Sequence, residues 1–318
     1  MTWDDFDRWA PQSVSDGSAQ LKASGLLAEP EATARVKEQL AELLPAGIAT
    51  PLHLLWTVRA TGQDALVGHL WMRIRPSSDE VEAFVLDVDV LPELRGRGWG
   101  RATMLAAEQA ARDAGASVLR LSVFGHNSAG VRLYEGLEYG VVGATMTRQL
   151  DAPPWTAPAG PVAEASVRLD PMTAEQYAGF RDRRAADHGG ARPGVRSAEG
   201  ARRSAAADLD RLLPDGPATP GHRLWSSHAD AGPVADVWVR LEERSDGRHA
   251  SLQELRLVLR DRLIPVVGAV ERSCRALGAR SLTVSVPESL PASSLDAQAV
   301  LEHRGFRVAA QTMAKALT

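Results

Sequence analysis

The sequence predicts an α+β fold written twice: two tandem domains, each a mixed, mostly antiparallel sheet flanked by helices. Three observations predict it. The first is self-similarity. Leu43-Leu44-Pro45-Ala46-Gly47-Ile48-Ala49-Thr50-Pro51-Leu52-His53-Leu54-Leu55-Trp56 returns 169 residues on as Leu212-Leu213-Pro214-Asp215-Gly216-Pro217-Ala218-Thr219-Pro220-Gly221-His222-Arg223-Leu224-Trp225. Val67–Ile74 returns as Val234–Leu241, Gly115-Ala116 as Gly278-Ala279, and Leu133-Tyr134-Glu135 as Val300-Leu301-Glu302. Ordered matches at a slowly drifting shift mean a duplicated domain. The second observation is that strands outnumber helices in each copy, around a central β-loop-α-β unit. The third is the proline-rich stretch Pro153-Pro154-Trp155-Thr156-Ala157-Pro158-Ala159-Gly160-Pro161 between the copies, a stiff extended linker. It places one domain at 1–152, a linker at 153–163 and a second domain at 164–318.

The elements of the first copy follow in order. Ala32 to Leu44 has apolar residues at helical spacing. Leu52–Ala60 and Val67–Arg75 read as a strand pair, with turn residues at Thr61-Gly62-Gln63-Asp64. Glu82–Val90 is a third strand. A glycine-rich loop leads into a helix over Arg101–Ala114, which Gly115 caps. Val118–Phe124 is a strand, Ala129–Gly136 a short helix and Val141–Leu150 a last strand. The second copy has a strand-like lead-in, Ser166-Val167-Arg168-Leu169, before Met172. The first copy has none, because Met1 aligns with Met172, so its opening strand is either missing or borrowed.

Composition narrows the function classes. At 318 residues, two domains is the natural expectation. A net charge of −4 argues against a general nucleic-acid binder. The sole cysteine, Cys274, excludes an internal disulfide and a cysteine-based zinc cluster, and its apolar surroundings in sequence suit a core residue. No metal site is expected. The acidic N-terminus lacks the apolar region of a signal peptide, and no apolar run reaches the roughly 18 residues a membrane span needs. A cytoplasmic protein without membrane attachment is expected.

The chemistry concentrates in Val90-Leu91-Pro92-Glu93-Leu94-Arg95-Gly96-Arg97-Gly98-Trp99-Gly100-Arg101, between a strand and a helix. Gly96, Gly98 and Gly100 let backbone N–H groups approach a ligand without Cβ obstruction. Together with the helix N-terminus they suit a pyrophosphate, and Arg95, Arg97 and Arg101 add positive charge. A tight turn with a basic face would look the same. The spacing is neither that of a dinucleotide fingerprint nor that of a Walker loop.

Arg95-x-x-Gly98-x-Gly100 after a strand resembles the acetyl-CoA pyrophosphate loop of the GNAT superfamily. Asn127-Ser128-Ala129-Gly130-Val131-Arg132-Leu133-Tyr134-Glu135-Gly136-Leu137-Glu138-Tyr139 is similar to that family's second motif, Asn-x-x-Ala-x-x-Leu-Tyr-x-x-x-Gly-Phe. Gly130, Glu138 and Tyr139 depart from it at the Ala, Gly and Phe positions. The resemblance implies direct acyl transfer from acetyl-CoA to an amine of a small molecule or peptide. It implies that loop residues Arg95 to Arg101 bind the pyrophosphate, and that backbone N–H groups near Val90 and Leu91 polarise the thioester carbonyl. It gives Tyr134 the protonation of the leaving thiolate, and Asn127 the pantetheine arm or a water. The resemblance leaves acceptor recognition to the early helices, Trp3–Leu44.

The amine must lose a proton before it attacks. Asp87 and Asp89 share one face of the central strand and Glu82 the other; either face can relay a proton through water, and solvated carboxylates would look the same. Asp87 is the first choice as base or acceptor anchor, and His126 is the alternative.

The second copy is an internal control. Leu257–Pro265 replaces the glycine loop and contains no glycine, Tyr134 maps to Leu301, and Asn127 maps to about Ser294. That copy is expected to lack the coenzyme site and to pack against the first. Residues shared by both copies, His53/His222, Trp56/Trp225, Trp71/Trp238 and Arg73/Arg240, read as structural. A chain that binds acyl-CoA as a sensor, without turnover, is the other reading.

Overall fold

Thr2 and Asp5 close a reciprocal cap, the Thr2 hydroxyl accepting from the Asp5 amide and the Asp5 carboxylate from the Thr2 amide. The chain therefore enters helix α1 (Trp3–Ala23) at once, and among the described residues no strand precedes it. The computed structural model describes residues 1–62, 65–76, 80–151, 167–188, 198–229, 232–258, 262–286 and 294–317. They form two units, Met1–Ala144 with Ala309–Thr318, and Thr145–Val308.

After α1 come α2 (Glu31–Leu43), β1 (His53–Arg59), β2 (Leu66–Pro76), β3 (Val81–Val90), α3 (Trp99–Asp113), β4 (Val118–Phe124), α4 (Ser128–Glu135) and β5 (Gly140–Gln149). The trailing copy repeats them with an opening strand: β6 (Arg168–Pro171), α5 (Ala174–His188), α6 (Ala198–Leu212), β7 (His222–Ala229), β8 (Gly232–Arg244), β9 (Gly247–Leu257), α7 (Leu263–Ala276), β10 (Ala279–Val286), α8 (Ser294–His303) and β11 (Arg307–Ala316). The α+β class with a mostly antiparallel sheet is as the sequence predicts. The leading sheet runs β1-β2-β3-β4-β11, with only β3–β4 parallel. The trailing sheet runs β5-β10-β9-β8-β7-β6. Met72, Met104, Leu119 and Leu121 fill the leading core, and Trp238, Phe180, Leu209 and Leu282 are fully buried in the trailing unit. Among the described residues, no helix is long and apolar enough to cross a membrane.

The units depart from the expected ranges at their last strands. The predicted strand over 141–150 forms as β5, but the leading unit ends at Ala144 and the rest of β5 belongs to the trailing unit. In exchange, Ala310–Ala316 of β11 pairs antiparallel with Phe124–Val118 of β4. Each exchanged strand brings a cation to a buried glutamate. Lys315 lies 2.9 Å from Glu108 of α3, and Arg148 lies 2.6 Å from Glu271 of α7, which Arg304 also holds at 2.9 Å. The expected linker 153–163, like Gln63 and Asp64 of the first predicted turn, lies outside the described residues.

Candidate active site

Strand β3 sets the geometry. It pairs with β4 only from Glu82↔Val118 to Val85↔Leu121, while on its other side it stays paired with β2 as far as Val90. Beyond Val85 the two parallel strands part. A bulge at Leu86 begins the parting: Met72 faces Val85 and Trp71 faces Asp87, so Leu86 has no partner. Gly68 lets the end of β3 lean onto β2, since a Cβ there would lie 1.9 Å from the Asp89 carbonyl oxygen.

The ladder also fixes which amides point into the gap. Leu91 N–H donates to the Val67 carbonyl at 2.9 Å. Bonded pairs alternate along an antiparallel ladder, so Val90 directs its N–H away from β2, toward the gap. Of the two expected carbonyl-polarising amides, Val90 is so oriented; Leu91 is not, because β2 has claimed it.

The loop after β3 is a glycine turn that opens a helix. Gly96 and Gly98 have φ of +73° and +84°, the left-handed region that an L side chain resists. Gly98 is the N-cap of α3, has no side chain to satisfy the first-turn amides, and is followed by no acidic residue in that turn. Those N–H groups, with the positive end of the helix, fit a pyrophosphate. Trp99 and Gly100 open the helix, and a Cβ on Gly100 would press on Leu133 of α4 at 3.2 Å. The three arginines divide their duties. Arg95 turns back to the strand, bonding the Val90 carbonyl at 2.8 Å and Asp89 at 3.2 Å. Arg101 ties the helix start to the Gly136 carbonyl at 2.8 Å. Arg97 is exposed and makes no hydrogen bond or ion pair among the described residues.

Asp87 lies on the parted end of β3. Its carboxyl is pushed up to about 6, first by burial and then by Asp89, against hydrogen bonding from Trp9 and Ser13. Tyr134 of α4 is buried, and its hydroxyl is pushed up to about 12 by burial and by the Asp87 charge. The structure thus brings together the predicted base and the predicted acid, the first poised to titrate near neutrality and the second locked in its protonated form. Glu82 is engaged elsewhere, held by Arg120 at 2.6 Å and Arg75 at 3.2 Å. His126 is bound to Gln20 of α1 at 2.6 Å. Asn127 caps α4, its side-chain oxygen accepting from the Gly130 amide at 2.9 Å. A Cβ at residue 130 would lie 2.8 Å from Asn127 Nδ2, the end of a side chain that can shift to admit it.

Sequence reasoning did not single out Trp9 and Ser13, which lie within the early-helix stretch. They stand one helical turn apart on α1 and meet Asp87, a pairing that spacing alone cannot reveal.

The trailing unit keeps the frame. Trp71 Nε1 donates to His53 Nδ1 at 2.9 Å, and Trp238 Nε1 to His222 Nδ1 at 2.9 Å. Burial holds both imidazoles below their ordinary range. The bulge recurs with Trp238 facing Glu254. The glycine turn does not: α7 begins at Leu263, its cap is Arg262, and Pro265 removes a first-turn amide. Residues 259–261 of the predicted glycine-free loop lie outside the described residues. Cys274 is fully buried and its thiol is pushed up to about 12 by burial, in keeping with a core residue.

Known proteins bear on this geometry. A family profile described as "Acetyltransferase (GNAT) family" matches residues 25–139, the stretch from the end of α1 through Tyr139. The uncharacterized N-acetyltransferase YycN of Bacillus subtilis is 35% identical over 114 residues, 36% of this chain and 72% of that protein. The uncharacterized N-acetyltransferase YdgE of the same organism is 29% identical over 150 residues, 47% of this chain and 95% of that protein. Over both copies, the fold is similar to a solved tandem GNAT protein from the clavulanic acid biosynthesis pathway, with TM-score 0.51 and 18% identity, covering 97% of this chain and 96% of that one. The parted parallel strands, the glycine turn and this family match together mean that the chain belongs to the GNAT acetyltransferase family, as a tandem member.

Proposed function

We propose that the leading unit transfers an acetyl group from acetyl-CoA to a primary amine by direct attack. One observation carries the reading: a half-buried carboxyl pushed up to about 6 and a buried neutral tyrosine lie together at the end of β3 that has parted from β4. In this reading the amides of Gly96 to Gly100 and the Arg97 guanidinium hold the pyrophosphate. Val90 N–H stabilises the charge that grows on the thioester oxygen. Asp87 accepts a proton from the acceptor ammonium, and the freed amine attacks the carbonyl carbon. As the C–S bond breaks, the Tyr134 hydroxyl gives its proton to the departing sulfur, and the second proton leaves the nitrogen of the new amide and returns through water to Tyr134; Asp87 releases its proton to solvent. Asn127 acts in this scheme by fixing the start of α4, hence the place of Tyr134. The trailing unit takes no part in the chemistry, because its helix start lacks glycines and Leu301 stands where Tyr134 would.

The test is thiol release from acetyl-CoA in the presence of spermidine, tyramine, glucosamine and an alanyl peptide. Turnover with at least one amine is expected. Tyr134→Phe should then slow kcat by about 10²–10⁴-fold, with little change in KM for acetyl-CoA. Tight acetyl-CoA binding by calorimetry without release on any amine would favour a sensor instead.

A further inference from the structure

The two copies place the same strand carboxylate in two different settings. In the trailing unit Glu254, opposite Trp238, is closed by the Arg184 guanidinium at 2.6 Å, and that guanidinium also lies 5.2 Å from the centre of the Trp238 ring. Arg184 stands on α5 as Ser13 stands on α1. Thr2 and Thr173 both cap, Phe6 and Tyr177 both lie against a glycine of the following turn, and Trp9 and Phe180 are both buried. Each pair lies 171 residues apart, as do Ser13 and Arg184. In the leading unit, then, a neutral hydroxyl 3.5 Å from Asp87 replaces the guanidinium.

The other groups around Asp87 do not make up the loss. From α1 come Trp9, Ser13 and Asp16; from its own strand, Asp89; from α4, Tyr134; from β2, the facing Trp71. None is a cation. Arg95, the cation near that end of β3, is committed to Asp89 and the Val90 carbonyl.

We propose that Ser13 is a positioning residue of the transfer reaction: by keeping a neutral group where the trailing copy keeps a guanidinium, it leaves Asp87 without a counter-ion, so that the acceptor's ammonium is the cation Asp87 meets. The proposal rests on the acetyl-transfer reading for its purpose, but its physical core is separate. A carboxylate with a built-in guanidinium partner is a weak base and has no need of an ammonium; one held by a hydroxyl and an indole is a stronger base and attracts one. The same position therefore distinguishes a structural carboxylate from a working one.

The experiment reads Asp87 directly, by carboxyl ¹³C NMR titration of the full chain, with Asp87→Asn assigning the resonance. In the native chain the midpoint should lie near 6. Ser13→Arg, which installs the trailing copy's ion pair, should make the carboxyl at least tenfold more acidic. Ser13→Ala, which removes a neutral donor, should move the midpoint up. The Ser13→Arg chain should bind acetyl-CoA as the native chain does and, with any amine that turns over, lose kcat/KM at least tenfold. A Ser13→Arg chain that keeps its fold and leaves the midpoint where it was would overturn the proposal. Should that variant not fold, a Ser13→Ala midpoint that stays put or falls would overturn it equally. If the midpoints move as stated but no amine is consumed, the acetyl-transfer reading fails and the electrostatic role of Ser13 stands.

Discussion

Asp87 shows what one poorly solvated charge costs and what it provides. A carboxyl raised to about 6 when folded, against about 3.9 when unfolded, favours folding in its protonated form. That contribution is full below pH 3.9 and is lost as pH rises through 6, so at pH 8 the ionised group costs about 3 kcal/mol. Asp87→Asn should therefore raise unfolding stability by up to that amount at pH 8 and by little at pH 4, while removing the base. Activity has the opposite sign: kcat/KM should climb as pH rises through about 6, and Tyr134, at about 12, should add no alkaline fall below pH 11. Denaturant titrations at the two pH values check the first statement. A pH profile that is flat from 5 to 8 would count against the second. Glu138 carries a different cost. Its φ is +69°, at the position where the family motif has glycine, and Gly305 of the trailing unit holds the equivalent place at +82°. A non-glycine residue there costs about 1–2 kcal/mol, part of which glycine gives back as lost chain entropy. Glu138→Gly should stabilise the leading unit by about 0.5–1 kcal/mol, and an unchanged or lower unfolding midpoint would contradict this strain.

Among elements, the turn from β3 to α3 matters most. Its glycines are needed for conformation rather than for room: no atom lies within 4 Å of a Cβ built on Gly96 or Gly98, yet both have positive φ. Gly98→Ala should thus cost about 1–2 kcal/mol of local strain without a clash. The expected result is a loss of acetyl-CoA affinity of about tenfold, the equivalent of that strain. Native affinity in a calorimetric titration would remove the turn from the binding site. This element was legible in the sequence because everything it does is local: glycine spacing, a preceding strand, a following helix. Tyr134 was legible for the same reason, and so was the shared face of Asp87 and Asp89, which both follow the bulge. The bulge at Leu86 shifts strand parity, so Glu82, opposite Arg75, lies on the same face as Asp87, opposite Trp71, and not on the other face as simple alternation predicts. What escaped was set by partners distant in sequence. Nothing near Leu91 announces that Val67 takes its amide, nothing near Arg95 announces its return to Val90, and Ser13 lies 74 positions from Asp87.

At the scale of the molecule, duplication lets the two copies trade their last strands, and this too was hidden in the sequence. β5 and β11 carry the same pattern in the same places: Met146 and Met313 are fully buried, and Arg148 and Lys315 each meet a glutamate. Either strand satisfies either sheet by pattern, so periodicity cannot say which goes where. In the fold, Met313 enters the core that contains Tyr134, and Lys315 neutralises Glu108, which is 2% exposed. A buried carboxylate that loses its main partner costs about 2–3 kcal/mol, here softened by Arg112 at 3.8 Å. The leading unit should therefore depend on the final residues of the chain. Deleting 309–318 removes both the buried methionine and the ammonium, and strips β4 of its antiparallel neighbour. Acetyl-CoA binding should be lost, and a synthetic peptide of residues 305–318 should restore it when added in trans. Lys315→Met, which keeps the bulk and drops the charge, should fold but lower the leading unit's stability by about 2 kcal/mol. A chain ending at Val308 that binds acetyl-CoA with native affinity would show that β11 is an ornament to the sheet rather than part of it.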